Sequence, residues 1–150
     1  QVYYSLDGYI HVNIQQREPV LRVLTGEGYY VDRDGRVMPL SSKFTSRVVV
    51  ATGDINKKFA CEKLGPFAMK LKNEPFWDAY IEQLVVRSNE DVVMIPKVGD
   101  FRIVLGKVDD CEARLEKLML FLKDGITKKG WNRYKEINLK FDNQVVCVRK

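Results

Sequence analysis

Glu136-Ile-Asn-Leu-Lys-Phe-Asp-Asn-Gln-Val-Val-Cys-Val-Arg149 is the stretch on which the reading of the fold turns. From Glu136 to Asp142 it alternates strictly. Ile137, Leu139 and Phe141 point one way and Asn138, Lys140 and Asp142 the other, the period of a half-buried strand. Beyond Asn143-Gln144, the run Val145-Val146-Cys147-Val148 is apolar on both faces and holds neither Pro nor Gly to interrupt pairing. Asp142-Asn143-Gln144 between the two halves reads as either a turn or a bulge. A final strand often forms the margin of its sheet, and only Lys140, Arg149 and Lys150 offer the charges that guard an edge. Such a strand is either covered within its own fold, as an ordinary core strand, or takes up a strand from another protein.

Upstream, the same grammar repeats. Val2 to Ile14 reads as a β-hairpin with Asp7-Gly8 as a type I′ pair, since both central positions of that turn need positive φ. Ile10, Val12 and Ile14 share one face, which leaves His11 on the polar one. Pro19 cannot donate to a ladder, so a strand over Val20–Leu24 begins at it. Tyr29 to Met38 is a second hairpin turning at Asp34-Gly35. Asp32 and Asp34 resemble the start of a calcium loop but lack its further oxygen ligands and terminal Glu, so the turn is preferred. Arg47–Thr52 is a short strand. Within residues 56–73, Pro66 suits the first turn of a short helix toward Leu71, and Glu74-Pro75 starts another turn through Tyr80. The aromatics Phe76, Trp77 and Tyr80 are expected in the core. Gln83–Arg87, Asp91–Pro96 and Phe101–Leu105, with short connections, form an antiparallel meander. Asp109 or Asp110 caps a helix to about Lys123, whose stripe of Cys111, Leu115, Leu118, Met119 and Leu122 faces the sheet. The fold class is α+β: a mainly antiparallel sheet with two or three helices packed on it.

The 150 residues suffice for one domain, or one domain plus a fragment of another. A chain of this size buries about 68–70% of its unfolded surface and needs neither disulfide nor metal to fold. A net charge of +5, with 25 basic residues interspersed among 20 acids, describes a solvated surface and argues against a nucleic-acid partner. Cys61, Cys111 and Cys147 are far apart, and one histidine cannot complete a zinc site, so no metal or cofactor is expected. Cys111 and Cys147 read as small core residues. No apolar run reaches the length of a membrane span. Beginning with Gln1 inside a strand, the chain is expected to be a fragment of a longer protein, with a membrane anchor left behind.

Catalytic constellations fail one by one. Gly106-Lys107 follows a strand, but Phe101 and Val108 stand where a phosphate loop needs Gly and Ser or Thr. No nucleophile elbow or dinucleotide fingerprint occurs. With His11 on a polar strand face and no cysteine in a basic setting, no catalytic residue is assigned and the chain reads as an interaction module, not an enzyme.

Four stretches, taken in order, resemble the extracytoplasmic part of the bacterial cell division family FtsQ/DivIB. They are Gly8 to Pro19 followed by Val20-Leu-Arg; Gly28-Tyr-Tyr-Val-Asp-Arg-Asp-Gly-Arg-Val-Met-Pro-Leu40; Gly99-Asp-Phe-Arg-Ile-Val-Leu-Gly106; and Tyr134-Lys-Glu-Ile-Asn-Leu-Lys-Phe141. The resemblance implies that residues 1–24 are the last strands of a truncated POTRA domain and that 25–150 form the family's β domain. It also implies a non-enzymatic divisome scaffold on the periplasmic face of the inner membrane, anchored by an N-terminal helix absent here. Its partners would be of the FtsB and FtsL type, with FtsW and FtsI as further candidates, recruited by strand addition at the final strand. The family's D-L-R-Y motif falls on Asn138-Leu139-Lys140-Phe141, where Lys keeps the charge but not the bidentate fork of Arg. The expected partner site is Leu139, Lys140, Phe141, Asn143, Val145, Val146 and Val148, with Phe141 an apolar anchor and Lys140 an electrostatic selector. An anionic surface or polymer bound through Lys128, Lys129, Arg133 and Lys135 is the alternative. A cell-wall enzyme would need a cleft with a perturbed carboxylate.

Overall fold

Eleven strands and four helices make up the computed structural model, which describes the chain apart from Thr127 and Lys129 and the side chains of residues 125, 126 and 131. The strands are β1 (Val2–Tyr4), β2 (Ile10–Val12), β3 (Pro19–Val23), β4 (Tyr29–Asp32), β5 (Val37–Met38) and β6 (Val49–Gly53). After the first helices come β7 (Ile81–Arg87), β8 (Asp91–Pro96) and β9 (Arg102–Gly106), and after the last helix β10 (Tyr134–Asn138) and β11 (Val146–Arg149). Nine of them form one sheet in the order β11-β10-β9-β8-β7-β6-β3-β4-β5. Five of its pairings are antiparallel, including the β7-β8-β9 meander. Three are parallel: β3 with β6, β6 with β7, and β9 with β10.

Alternate side chains define the two faces of this sheet. One row crosses it as Val23, Ala51, Leu84, Met94, Ile103, Ile137 and Cys147. All of these belong to or pack on the core, which the helices cover from that side. The next row, Thr52, Val85, Val93, Val104, Asn138 and Val146, points to the opposite face. Leu21 and Val23 are fully buried between β4 and β6. Pro19 thus opens an interior strand of the nine-stranded sheet.

Among the described residues, β1 and β2 alone stand apart, paired only with each other. Val2, Tyr4, Ile10 and Val12 share one face and are all more than half exposed. Tyr3 stacks on His11 on the other face at 5.1 Å. Both hairpin turns differ from the expected two-residue type. Ser5 N–H donates to Tyr9 and Asp32 N–H to Arg36, closing three-residue loops in which Gly8 and Gly35 alone take positive φ.

The first helix begins earlier than Pro66. Asn56 caps α1 (Lys57–Phe59) by accepting from Phe59 N–H at 2.8 Å. A widened turn over Ala60–Leu64 carries the helix into α2 (Gly65–Asn73), absorbing the missing N–H of Pro66. The short α3 (Pro75–Tyr80) follows. The last helix, α4 (Glu112–Phe121), continues into a π-type turn over Leu122–Ile126. Its N-cap is Cys111, without a side-chain bond, instead of Asp109 or Asp110; Asp109 pairs with Lys63 at 2.6 Å.

Asp32 shows how one buried charge is held. It is 2% exposed, accepts from the N–H of Arg36 at 2.7 Å and of Asp34 at 3.0 Å, and receives Arg17 Nε at 2.6 Å. Burial pushes its carboxyl up, but the Arg36 N–H and the Arg17 guanidinium outweigh that and leave it below the ordinary value of 3.8. A depressed folded-state pKa contributes stability above the unfolded value and loses it as pH falls through the folded one. Asp32→Ala is expected to cost about 1–3 kcal/mol at neutral pH by orphaning those donors. Urea unfolding should show the deficit narrowing below about pH 4, as wild-type Asp32 itself protonates.

Candidate partner-binding edge

The quoted C-terminal stretch divides into two strands of different standing. Its first half, β10, is interior, bonded to β9 on one side and β11 on the other. Its second half, β11, is the margin of the sheet, and no strand among the described residues pairs with its outer side. The strand ends at Asn138, although the alternation read from Glu136 to Asp142 runs on through buried Leu139 and exposed Lys140. Ile137 and Leu139 are fully buried, but Phe141 leaves the sheet at a turn through Asn143 and is 46% exposed. Asn143 takes φ +56°, so Asp142-Asn143-Gln144 is a turn and not a bulge.

Backbone parity identifies the free groups on the edge. Leu139 N–H donates to Val104 O on β9 at 2.9 Å, so Ile137 and Leu139 direct their polar groups to β9, and Glu136 and Asn138 direct theirs to β11. Their partners Val148 and Val146 therefore point inward. Lys150 N–H, on the same parity, reaches Arg133 O at 3.3 Å. Val145, Cys147 and Arg149 are left with N–H and C=O aimed outward. Val146 and Val148 flank these groups on the face away from the helices, while Val145 and Cys147 pack on the core.

The sequence-derived residues thus separate. Val146, Val148, Phe141 and Asn143 are exposed at or beside the margin. Leu139 has no exposed surface. Lys140 is half engaged within the chain: its Nζ lies 3.0 Å from Asp91 Oδ1, and its stem crosses Gly106. A residue the sequence reading missed is Lys117 of α4, whose Nζ donates to the carbonyls of Leu139 at 3.3 Å and Phe141 at 2.6 Å. Nothing in a lone helix lysine signals that contact. Of the basic loop, Lys128, Arg133 and Lys135 are exposed, and Lys129 lies outside the described residues.

The thiols of Cys61, Cys111 and Cys147 are free, and burial pushes all three up. The displaced carboxyls are Asp7, Asp32, Asp100 and Glu112. Each is lowered, with Ser5, Arg36, Lys150 and Lys70 respectively the chief bonding partner holding it down, whereas a general acid needs a raised one. A groove of about 490 Å³ beneath β6 and β7 is lined by residues such as Leu71, Trp77 and Ile81, with Arg47, Lys97 and Asp78 at its rim. No helix among the described residues is long and apolar enough to cross a membrane.

A search of curated proteins finds no match to this chain. A family model described as "FtsQ/DivIB, C-terminal related" matches residues 18–148, which take in the nine-stranded sheet except Arg149, the last residue of β11, and leave out the detached hairpin. That family is one of cell division and not a known enzyme family. With an edge strand, a covered core and this match over most of its length, the chain belongs to the FtsQ/DivIB C-terminal related family.

Proposed function

We propose that this domain is a non-enzymatic divisome scaffold that recruits an FtsB/FtsL-type partner by strand addition to β11. The observation that carries the reading is the row of outward N–H and C=O groups on Val145, Cys147 and Arg149, unpaired by any strand among the described residues. A strand laid there gains main-chain hydrogen bonds, and alternate side chains of it meet Val146 and Val148. Phe141 and Asn143, at the turn just before β11, border the same site. The exposed hairpin β1–β2 is read as part of a separate POTRA-type unit, and the protein as anchored at the periplasmic face of the inner membrane.

Parity chooses the test. Proline at Val146 would break the domain's own ladder, because that N–H points to β10. Proline at Cys147 removes an outward donor, the one place where an edge strand tolerates it. Cys147→Pro is expected to weaken binding of a soluble FtsB/FtsL ectodomain complex about tenfold, with Cys147→Ala, which keeps the N–H, near wild type. Calorimetric titration at low and high salt would measure both. Equal affinity of the two variants would place the site elsewhere. Binding that collapses with added salt would instead favour an anionic ligand at Lys128, Arg133 and Lys135.

A further inference from the structure

We infer that Lys117 is a positioning residue that fixes the register of the edge strand for an incoming partner. The inference rests on the strand-addition reading above. Where β10 ends, the carbonyls of Leu139 and Phe141 lose strand partners as the chain reverses toward β11. Lys117 takes both, using two of the three donors of its ammonium. Its own platform is rigid, since Leu115 and Leu118 on the same helix are buried in the core. Two further ties brace the turn: Lys140 N–H to Asn138 Oδ1 at 3.0 Å, and Lys140 Nζ to Asp91.

Register matters here because a strand's side-chain period is two. A one-residue slip of β11 would carry Cys147 out of the core, turn Val146 inward, and exchange the outward amides for the inward ones. β11 is held on one side only, by β10, so the geometry of the turn that feeds it sets which groups a partner meets. Lys117 ties that turn to the helix layer.

The test pairs Lys117→Met, which keeps the stem and removes the donors, with Lys117→Arg as the conservative variant. Residue-resolved amide exchange should quicken roughly tenfold or more at Val146 and Val148 in Lys117→Met, with Leu84 and Met94 in the sheet centre unchanged. Affinity for the FtsB/FtsL ectodomain complex should fall roughly tenfold in the same variant, and Lys117→Arg should restore much of both. A merely structural lysine would speed exchange across the whole sheet or nowhere. Unchanged exchange at Val146 and Val148 overturns the inference. So does faster exchange with intact affinity while Cys147→Pro weakens binding. If Cys147→Pro also binds normally, the strand-addition reading falls, and the role of Lys117 with it. Should Lys117→Met lower overall stability, Lys117→Gln repeats the comparison with the same outcomes.

Discussion

Leu139→Ala is expected to lower the stability of the domain by about 2–5 kcal/mol, one of the largest single-residue losses in the chain. Leu139 sits immediately after β10, has no exposed surface and belongs to the main apolar cluster together with Ile103, Leu118 and Ile137. Truncation removes its transfer free energy and leaves a cavity against α4, which cannot collapse while Lys117 and the buried Leu118 hold the helix in place. Chemical denaturation should show a lower midpoint at unchanged slope. Partner affinity, measured cold enough that the variant stays folded, should remain close to wild type, because the side chain meets only its own core. Undiminished stability together with lost binding would mean that Leu139 faces the partner, as its place in the family motif suggested.

That residue also shows where sequence legibility ended. Ile137, Leu139 and Phe141 have one periodicity and one chemistry, yet the strand ends at Asn138 and only the first two enter the core. Nothing in the pattern marks the exit. The reversal is made by Asn143 in the left-handed region and by Lys117 reaching across from a helix 24 residues earlier than Phe141. The antiparallel meander β7-β8-β9 was readable because its connections are short, and the stripe of α4 because its spacing is helical. The parallel pairings were not, since β3/β6 and β9/β10 depend on which distant strands become neighbours. The helix over residues 57–73 was hidden by Gly65-Pro66, which propensity reads as a start and the fold accommodates with a widened turn. Val146 and Val148 were legible as strand, but which of their neighbours keep free amides required the Leu139–Val104 bond.

Gly53→Ala should be costly for a different reason. Gly53 ends β6 at φ +104°, and a Cβ built on it would lie 2.1 Å from Val86 O and 3.1 Å from Val86 N. The obstacle is backbone of β7, with Asp54 N–H donating to the same carbonyl at 2.9 Å, so no rotamer change relieves it. Backbone strain at positive φ costs about 1–3 kcal/mol, and displacing a packed central strand adds about 1–3 kcal/mol more. The combined loss of roughly 2–6 kcal/mol falls on β6 and β7, whereas β11 lies beyond β8, β9 and β10 from them. Thermal and urea unfolding should therefore report a large deficit, while the fraction that remains folded binds the FtsB/FtsL ectodomain complex with wild-type affinity. An alanine tolerated without loss would show that β6 and β7 part more easily than their close approach implies. A selective loss of binding would show that strain at the centre of this sheet reaches its margin.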